Sequence, residues 1–145
     1  MKIKDVMTQQ VKIAGPDQTI GEAARMMAEC DSGAMPVGKD DRLIGMITDR
    51  DIAIRAVAKD LPPGTPIREV MSKEVLYCFL DEDVEHVADN MGAQQVRRLP
   101  VLDREKRLVG IVSLGDLALH SKPKTSGQAI AAISQPGGAH DQTLH

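Results

Sequence analysis

Apolar and polar positions along the first half of the chain predict helices and strands in a fixed order. Apolar residues recur at helical spacing from about Thr19 to Cys30, and Thr19 with Glu22 has the pattern of a capping box at the start of that helix. Short strands are predicted where apolar residues alternate or cluster, at 11–14, 34–37 and 42–48. A second helical pattern covers 49–58. The predicted order is strand, helix, strand, strand, helix.

The second half of the chain repeats this order at a nearly constant offset. Ile67-Arg68-Glu69-Val70-Met71-Ser72 matches Ile3-Lys4-Asp5-Val6-Met7-Thr8, 64 residues earlier, and one residue inserted in a later turn raises the offset to 65. Such an offset indicates a duplication with a unit longer than a solenoid repeat. We predict an α+β fold of two tandem β-α-β-β-α repeats, over 1–64 and 65–121. Residues 122–145 are linker-like and are predicted to be a flexible C-terminal tail.

One short segment in each repeat carries the candidate chemistry. Gly45-Met46-Ile47-Thr48-Asp49-Arg50-Asp51-Ile52 and Gly110-Ile111-Val112-Ser113-Leu114-Gly115-Asp116-Leu117 share a glycine, two apolar residues, a hydroxyl residue and an aspartate three positions later. This pattern predicts a corner between a strand and a helix. The N–H groups of a helix start bind anions, and a carboxylate accepts hydrogen bonds from a ribose diol. In a single copy a plain helix cap is the favoured interpretation; the duplication shifts the balance towards a binding site.

Composition and charge limit the classes of function. Apolar residues make up 42% of the chain and aromatic residues only 1%, so the core is aliphatic and base stacking on single-stranded nucleic acid is disfavoured. A net charge of −3 without a basic block argues against duplex nucleic acid as a partner. The sequence shows no apolar leader and no apolar run that would span a membrane, so we predict a cytoplasmic protein.

Cysteines, histidines and other reactive residues show no catalytic or metal-binding pattern. Cys30 and Cys78 lack the spacing of metal ligands and are predicted to be small buried residues. We find no pair of nucleophile and base, no metal cluster and no P-loop in the sequence. We therefore predict that the chain is not an enzyme and requires no metal or other cofactor.

The paired segments, the apolar-Pro-Val strands before them and the Asp-Val-Met entry segment at 5–7 together resemble a tandem CBS domain pair, or Bateman module. The resemblance covers about residues 1–121 and is closest to bacterial CBS-pair proteins that stand alone. It implies two repeats packed with pseudo-twofold symmetry around two clefts. It also implies binding of AMP, ADP, ATP or S-adenosylmethionine as a regulatory ligand, and a homodimer. By the family pattern, Thr48 and Ser113 contact phosphate, while Asp51 and Asp116 hold the ribose hydroxyls.

Differences between the repeats indicate further candidate residues. Arg97 and Arg98 replace the small pair Gly33-Ala34, and a guanidinium suits a ligand phosphate; an arginine exposed to solvent or at a dimer interface is the equal alternative. Arg50 is a second phosphate candidate, with an exposed arginine of the first helical turn as the alternative. The second repeat has Gly115 at that position, so we predict that the two sites differ in affinity.

Two functions follow from the sequence. The first is a regulatory module that binds an adenosine ligand, senses ligand or energy levels, and acts through its dimer or on an unknown protein target. The alternative is a structural or interaction dimer that keeps the duplicated fold without binding a nucleotide. The aspartate retained in both segments favours the first.

Overall fold

The protein is described here by a computed structural model, which describes residues 1–136. The chain divides into two compact units. Residues Val11–Val75 form the first-repeat unit, whereas Met1–Gln10 and the described residues from Leu76 onward form the second-repeat unit. Each unit contains a helix, two strands and a second helix in the predicted order, so the α+β class and the duplication are confirmed.

The first-repeat unit contains one hairpin, two longer helical segments and, near its end, a short 3₁₀ helix (Ile67–Glu69). Helix α1 (Ile20–Cys30) precedes the antiparallel strands β1 (Ala34–Lys39) and β2 (Arg42–Thr48). Helical segment α2 follows at once, with an α-helical turn (Asp49–Asp51), a π-helical stretch (Ile52–Ala56) and a 3₁₀ turn (Val57–Lys59). The π-helical stretch lies immediately after the aspartate of the candidate segment.

The second-repeat unit begins with a short 3₁₀ helix (Ile3–Asp5) and has the same order of elements with one additional strand and one additional helix. Strand β3 (Cys78–Phe79) pairs in parallel with β4 (Arg98–Leu102), which pairs antiparallel with β5 (Leu108–Ser113). Helix α3 (Val84–Gln94) lies between β3 and β4 in the chain, and α4 (Leu114–His120) follows β5. The additional helix is α5 (Pro123–Ile133).

Each unit has its own aliphatic core, and the entry segment of one repeat lies in the core of the other repeat's unit. Ile3 and Val6 are buried in the second-repeat core, and Ile67 and Val70 in the first-repeat core. Two pairs of backbone hydrogen bonds fix the ends of these segments: Thr8 pairs with Ile111 at 2.8 and 3.0 Å, and Ser72 with Met46 at 2.8 and 3.0 Å. The boundaries of the two packed units therefore differ from the boundaries of the two sequence repeats, because each entry segment packs with the other repeat.

A glycine makes each of these pairings possible. A Cβ on Gly45 would lie 2.8 Å from both the Met71 sulfur and the Ser72 carbonyl oxygen. A Cβ on Gly110 would lie 2.8 Å from the Thr8 carbonyl oxygen and 2.9 Å from the Met7 sulfur. The glycine of the candidate segment is thus required by the close approach of another backbone.

Two local predictions are corrected. The strand expected at 11–14 is reduced to a single parallel bridge between Ala14 and Val37, because the chain turns at Gly15, whose N–H is bonded to the Gln18 side chain. The Thr19–Glu22 capping box is half formed: Thr19 Oγ1 accepts from the Glu22 N–H at 3.1 Å, and the Glu22 carboxylate makes no return bond within the described residues.

The flexible tail predicted over 122–145 is also corrected in part. Helix α5 packs on α3, with Ser126, Ala129 and Ile133 buried. Gly92 allows this contact, since a Cβ there would lie 2.9 Å from Ala132 Cβ. The Gln95 side-chain amide donates to carbonyl groups at the end of α5, namely those of Ala132, Ile133 and Gln135. The rest of the predicted tail, 137–145, lies outside the described residues.

Substituting the segment glycines by alanine should lower the free energy of unfolding. We expect Gly45→Ala and Gly110→Ala each to cost about 1–3 kcal/mol, because the added methyl group displaces a backbone carbonyl and a methionine side chain. The matched control is Gly64→Ala, where a Cβ meets nothing within 4 Å. Urea unfolding followed by circular dichroism measures all three. Equal free energies of unfolding for Gly45→Ala and Gly64→Ala would show that the close approach of another backbone to Gly45 does not contribute to stability.

Candidate functional site

The first corner lies where β2 ends and α2 begins. Thr48 Oγ1 accepts a hydrogen bond from the Asp51 N–H at 3.0 Å, and Asp51 Oδ2 accepts from the Thr48 N–H at 3.0 Å. Thr48 has extended backbone dihedrals, as a helix N-cap requires. The two predicted residues are therefore brought together as a complete capping box.

The second corner, at the junction of β5 and α4, has the same geometry. Ser113 Oγ accepts from the Asp116 N–H at 3.1 Å, and Asp116 Oδ2 accepts from the Ser113 N–H at 3.0 Å. Both aspartates are half-buried, as are both hydroxyl residues. The duplicated sequence thus produces the same corner twice.

Each capping box leaves two polar groups available to a ligand. The hydroxyl uses a lone pair to accept from the aspartate N–H, so its own proton is free to be donated to an anionic oxygen. The aspartate uses Oδ2 for the box, so Oδ1, which has two lone pairs, can accept from a ligand hydroxyl even where one lone pair already has a donor in the protein. The nearby N–H groups of the helix start add a favourable field for an anion. At each corner the aspartate can therefore accept a hydrogen bond from a ligand hydroxyl, while the neighbouring Thr or Ser hydroxyl donates a hydrogen bond to a ligand phosphate.

The remaining aspartate oxygen has a different neighbour at each corner. Asp51 Oδ1 lies 3.7 Å from Arg55 Nε, one helical turn later, whereas Asp116 Oδ1 accepts a hydrogen bond from the Thr8 hydroxyl at 3.3 Å. Sequence reasoning missed both residues. The four-residue spacing of Asp51 and Arg55 is a signal for the first contact. The second depends on the entry segment reaching β5, which no local pattern indicates.

The predicted arginines lie in different environments. Arg98 is the direct cross-strand neighbour of Ser113, and the corresponding neighbour of Thr48 is Ala34. Directly paired residues of antiparallel strands have their side chains on the same face of the sheet. Arg98 is half-buried and its guanidinium has no hydrogen bond or ion pair within residues 1–136. The second corner therefore has an uncompensated cation beside its hydroxyl.

Arg97 and Arg50 are both exposed. The Arg97 carbonyl accepts from the Leu114 N–H at 3.0 Å, so this residue borders the second corner through its backbone. At the same place in the first corner, the Gly33 carbonyl accepts from the Asp49 N–H at 2.9 Å. The first corner thus has Asp49 and Arg50, and the second has Leu114 and Gly115, at matching positions. The net charge of the second corner is the more positive of the two.

The two cysteines lie outside the corner segments, and the described residues contain no cluster of metal ligands. Cys78 is buried as predicted, and burial raises the pKa of its thiol to about 12, whereas Cys30 is exposed, contrary to prediction, because it lies on the outer face of the last turn of α1. Within residues 1–136, no three His, Cys, Asp or Glu side chains are grouped as metal ligands. In the same part of the chain, no helix is long and apolar enough to cross a bilayer.

Sequence comparisons identify relatives over nearly the whole chain. The family model of the CBS domain matches twice, at residues 3–57 and 67–122. The CBS domain-containing protein YhcV of Bacillus subtilis is 44% identical over 133 residues, which are 91% of this chain and 94% of that protein. Hypoxic response protein 1 of Mycobacterium tuberculosis is 39% identical over 136 residues, which are 92% of this chain and 94% of that protein.

Structure comparisons find the same fold. A crystal structure of hypoxic response protein I with two coordinated zinc ions has a TM-score of 0.76 at 39% identity, and covers 84% of this chain and 100% of that chain. The CBS domain pair of protein MJ0100, in complex with 5′-methylthioadenosine and S-adenosyl-L-methionine, has a TM-score of 0.74 at 31% identity. That match covers 82% of this chain and 94% of that chain.

Removing the capping hydroxyl should destabilise each corner. We expect Thr48→Ala and Ser113→Ala each to lower the free energy of unfolding by about 1 kcal/mol, because an N–H of the helix start loses its acceptor. Thr48→Ser and Ser113→Thr keep the acceptor and are the matched controls. Chemical denaturation without added ligand gives the values. Alanine variants as stable as the hydroxyl-swapped controls would contradict a capping role.

Proposed function

Since this chain belongs to the CBS domain family, we propose that it is a regulatory protein that binds an adenosine-containing ligand at its two corners. The ligand class is AMP, ADP, ATP or S-adenosylmethionine. Thr48 and Ser113 donate to phosphate or another anionic group, and Asp51 and Asp116 accept from the ribose hydroxyls. The chain then acts as a sensor of ligand or energy level, through its dimer or on a protein target.

One observation carries this proposal: each corner has a free hydroxyl proton and an aspartate Oδ1 next to a helix start. The two groups match a phosphate oxygen and a ribose hydroxyl in the same ligand. The adenosine compounds bound by the CBS domain pair of MJ0100 support the choice of ligand class. The duplication supports it further. Several residue types can cap a helix, so capping alone does not require a hydroxyl residue and an aspartate at the same spacing in both repeats.

The two corners are proposed to prefer different ligands. The second has Arg98 beside Ser113 and Arg97 at its border, so it suits ligands with more phosphate charge. In the first corner Asp49 offsets Arg50, and Arg55 lies near Asp51. The first corner therefore suits AMP or S-adenosylmethionine better than ATP.

The alternative function is a structural or interaction dimer without a nucleotide. The observation that favours it is that both capping boxes are complete, as a helix start without any ligand requires. Under this alternative, the hydroxyl and aspartate serve stability alone. Binding measurements separate the two functions.

Titration calorimetry with AMP, ATP and S-adenosylmethionine tests the proposed function. Asp51→Asn and Asp116→Asn keep an oxygen for the capping box but replace the second carboxylate oxygen by an amide N–H donor. Each should weaken binding at its own corner about 10- to 100-fold, because a hydrogen bond to a charged acceptor is lost. Arg98→Ala should weaken ATP more than S-adenosylmethionine.

The exposed Asp89→Asn on α3 is the control for loss of one negative charge. If the parent chain releases no heat and shows no thermal shift with any of the three ligands at millimolar concentration, the alternative function stands.

We also propose that two copies associate through their corner helices. Ile54 in α2 and Leu119 in α4 occupy matching repeat positions and are 52% and 78% exposed. Large exposed aliphatic side chains at equivalent sites in both repeats suit a symmetric, self-complementary interface. A location in the cytoplasm remains a prediction of the sequence.

Charged substitutions on these helices should dissociate the dimer. Ile54→Asp with Leu119→Asp is expected to shift the sedimentation coefficient from that of a dimer to that of a monomer, because two carboxylates would be desolvated per copy. Leu61→Asp, another exposed aliphatic position, is the matched control. A parent chain that sediments as a monomer at about 100 μM would contradict the proposed interface.

A further inference from the structure

The first-repeat unit has an open recess that lies away from its corner. The recess has a volume of about 480 Å³ and is lined by residues 15–18, Glu22, Gly38 and Lys39. Its position is at the Lys39 end of the β1–β2 hairpin, whereas Thr48 lies at the opposite end. The volume falls within the range of small-molecule sites.

The internal repeat shows what fills this place in the second-repeat unit. The bridge from Ala14 to Val37 matches the pairing of Cys78 with Val101, so Gly15 and Gly38 correspond to Phe79 and Leu102. The turn after each position is also the same. The Gly15 N–H donates to Gln18 Oε1 at 2.7 Å, and the Phe79 N–H donates to Glu82 Oε2 at 3.3 Å.

In the second-repeat unit an aromatic ring and a cation occupy the place. The Arg104 guanidinium lies 4.3 Å from the centre of the Phe79 ring and is bonded to Asp81 at 2.7 and 2.9 Å. This bond lowers the pKa of the Asp81 carboxyl. The Tyr77 ring meets Phe79 edge to face at 5.6 Å. The recess is therefore the position of an aromatic ring that the first repeat lacks.

The backbone does not require a glycine at position 15. Its φ lies outside the left-handed region, and the nearest atom to an added Cβ is 3.8 Å away, on Gln18. Gly38 differs, because a Cβ there would lie 3.0 Å from Ile13 Cγ2. Packing against Ile13 thus explains why residue 38 is a glycine. Neither backbone conformation nor packing requires a glycine at position 15, so the effect of Gly15 is to keep the recess open.

The rim of the recess has one unpaired charge of each sign. The Glu22 carboxylate and the Lys39 ammonium have no ion pair or hydrogen bond within residues 1–136. Asp17, by contrast, is paired with Arg68. The Gln18 side chain uses its oxygen for Gly15, so its amide N–H groups are left to donate.

We propose that this recess binds an aromatic amino acid as a zwitterion. The ring takes the place that Phe79 has in the other repeat, the ammonium group pairs with Glu22, and the carboxylate pairs with Lys39 and the Gln18 amide. No ring of the first-repeat unit competes for the place, since Tyr77 and Phe79 are the only aromatic residues of the chain. This inference does not rest on the proposed binding of adenosine ligands.

Fluorescence of L-tryptophan tests the inference without background, because the chain contains no tryptophan. Adding the full chain should raise the anisotropy of the ligand, with a dissociation constant of about 0.1–1 mM for a small ligand in an open site. Unlabelled L-phenylalanine should compete. Indole, which has the ring without the charges, should bind several-fold more weakly.

Three variants and two controls locate the binding. Gly15→Phe fills the recess as Phe79 does and should abolish binding, whereas Gly127→Phe adds a ring at an open position and should not. Glu22→Gln and Lys39→Met should each weaken binding about two- to fivefold, as expected for exposed ion pairs. His86→Gln, at the position matching Glu22, is their control.

Several results would overturn the inference. These are absence of binding at about 10 mM L-tryptophan, equal affinity of the parent and the Gly15→Phe, Glu22→Gln and Lys39→Met variants, or indole binding as tightly as tryptophan. Titration of Gly15→Phe with S-adenosylmethionine distinguishes loss of binding at the recess from loss of binding at the corners, because the corner residues are unchanged in that variant.

Discussion

The close approach of an entry segment to a glycine is the constraint on which each corner depends. Gly45 and Gly110 leave room for the Ser72 and Thr8 backbones to pair with the strand that ends at the corner. That pairing holds the last residues of β2 and β5 in place. The hydroxyl residue lies only three positions after the glycine, so its position is held as well. The position of the hydroxyl and aspartate is thus fixed from one side by a sheet-like pairing and from the other by the start of a helix.

The same polar groups have a structural and a chemical role at the corner. A capping box uses one lone pair of the hydroxyl and one oxygen of the aspartate, and it leaves a proton and an oxygen that are oriented by the box itself. A ligand that uses these groups meets them already in place, so little conformational entropy is lost on binding. This explains how one short segment can be both a helix cap and a candidate ligand site.

Duplication allows the two repeats to differ at places where the fold does not depend on side-chain identity. Arg98 replaces Ala34 beside the corner hydroxyl, and Phe79 replaces Gly15 at the other end of the sheet. The first change alters the charge of a corner, and the second fills a recess that stays open in the other repeat. Helix α5 adds a third difference, because it covers Ala88 and Gly92 while the matching Ala24 and Ala28 are exposed.

The sequence by itself determined the repeat, the shared order of helix, strand, strand and helix, and the hydroxyl and aspartate at each corner, because these depend on local spacing and on side chains three residues apart. The entry segments required the tertiary structure, since burial of Ile3 and Ile67 in the opposite repeat's unit is decided by long-range packing. The contact from Thr8 to Asp116 follows from that exchange. Helix α5 likewise has few strong local signals and is stabilised by its small-residue contact with Gly92 and by Gln95. Local hydrogen bonds depend on residues that are close in sequence, whereas the surface against which a buried face packs depends on the whole folded chain.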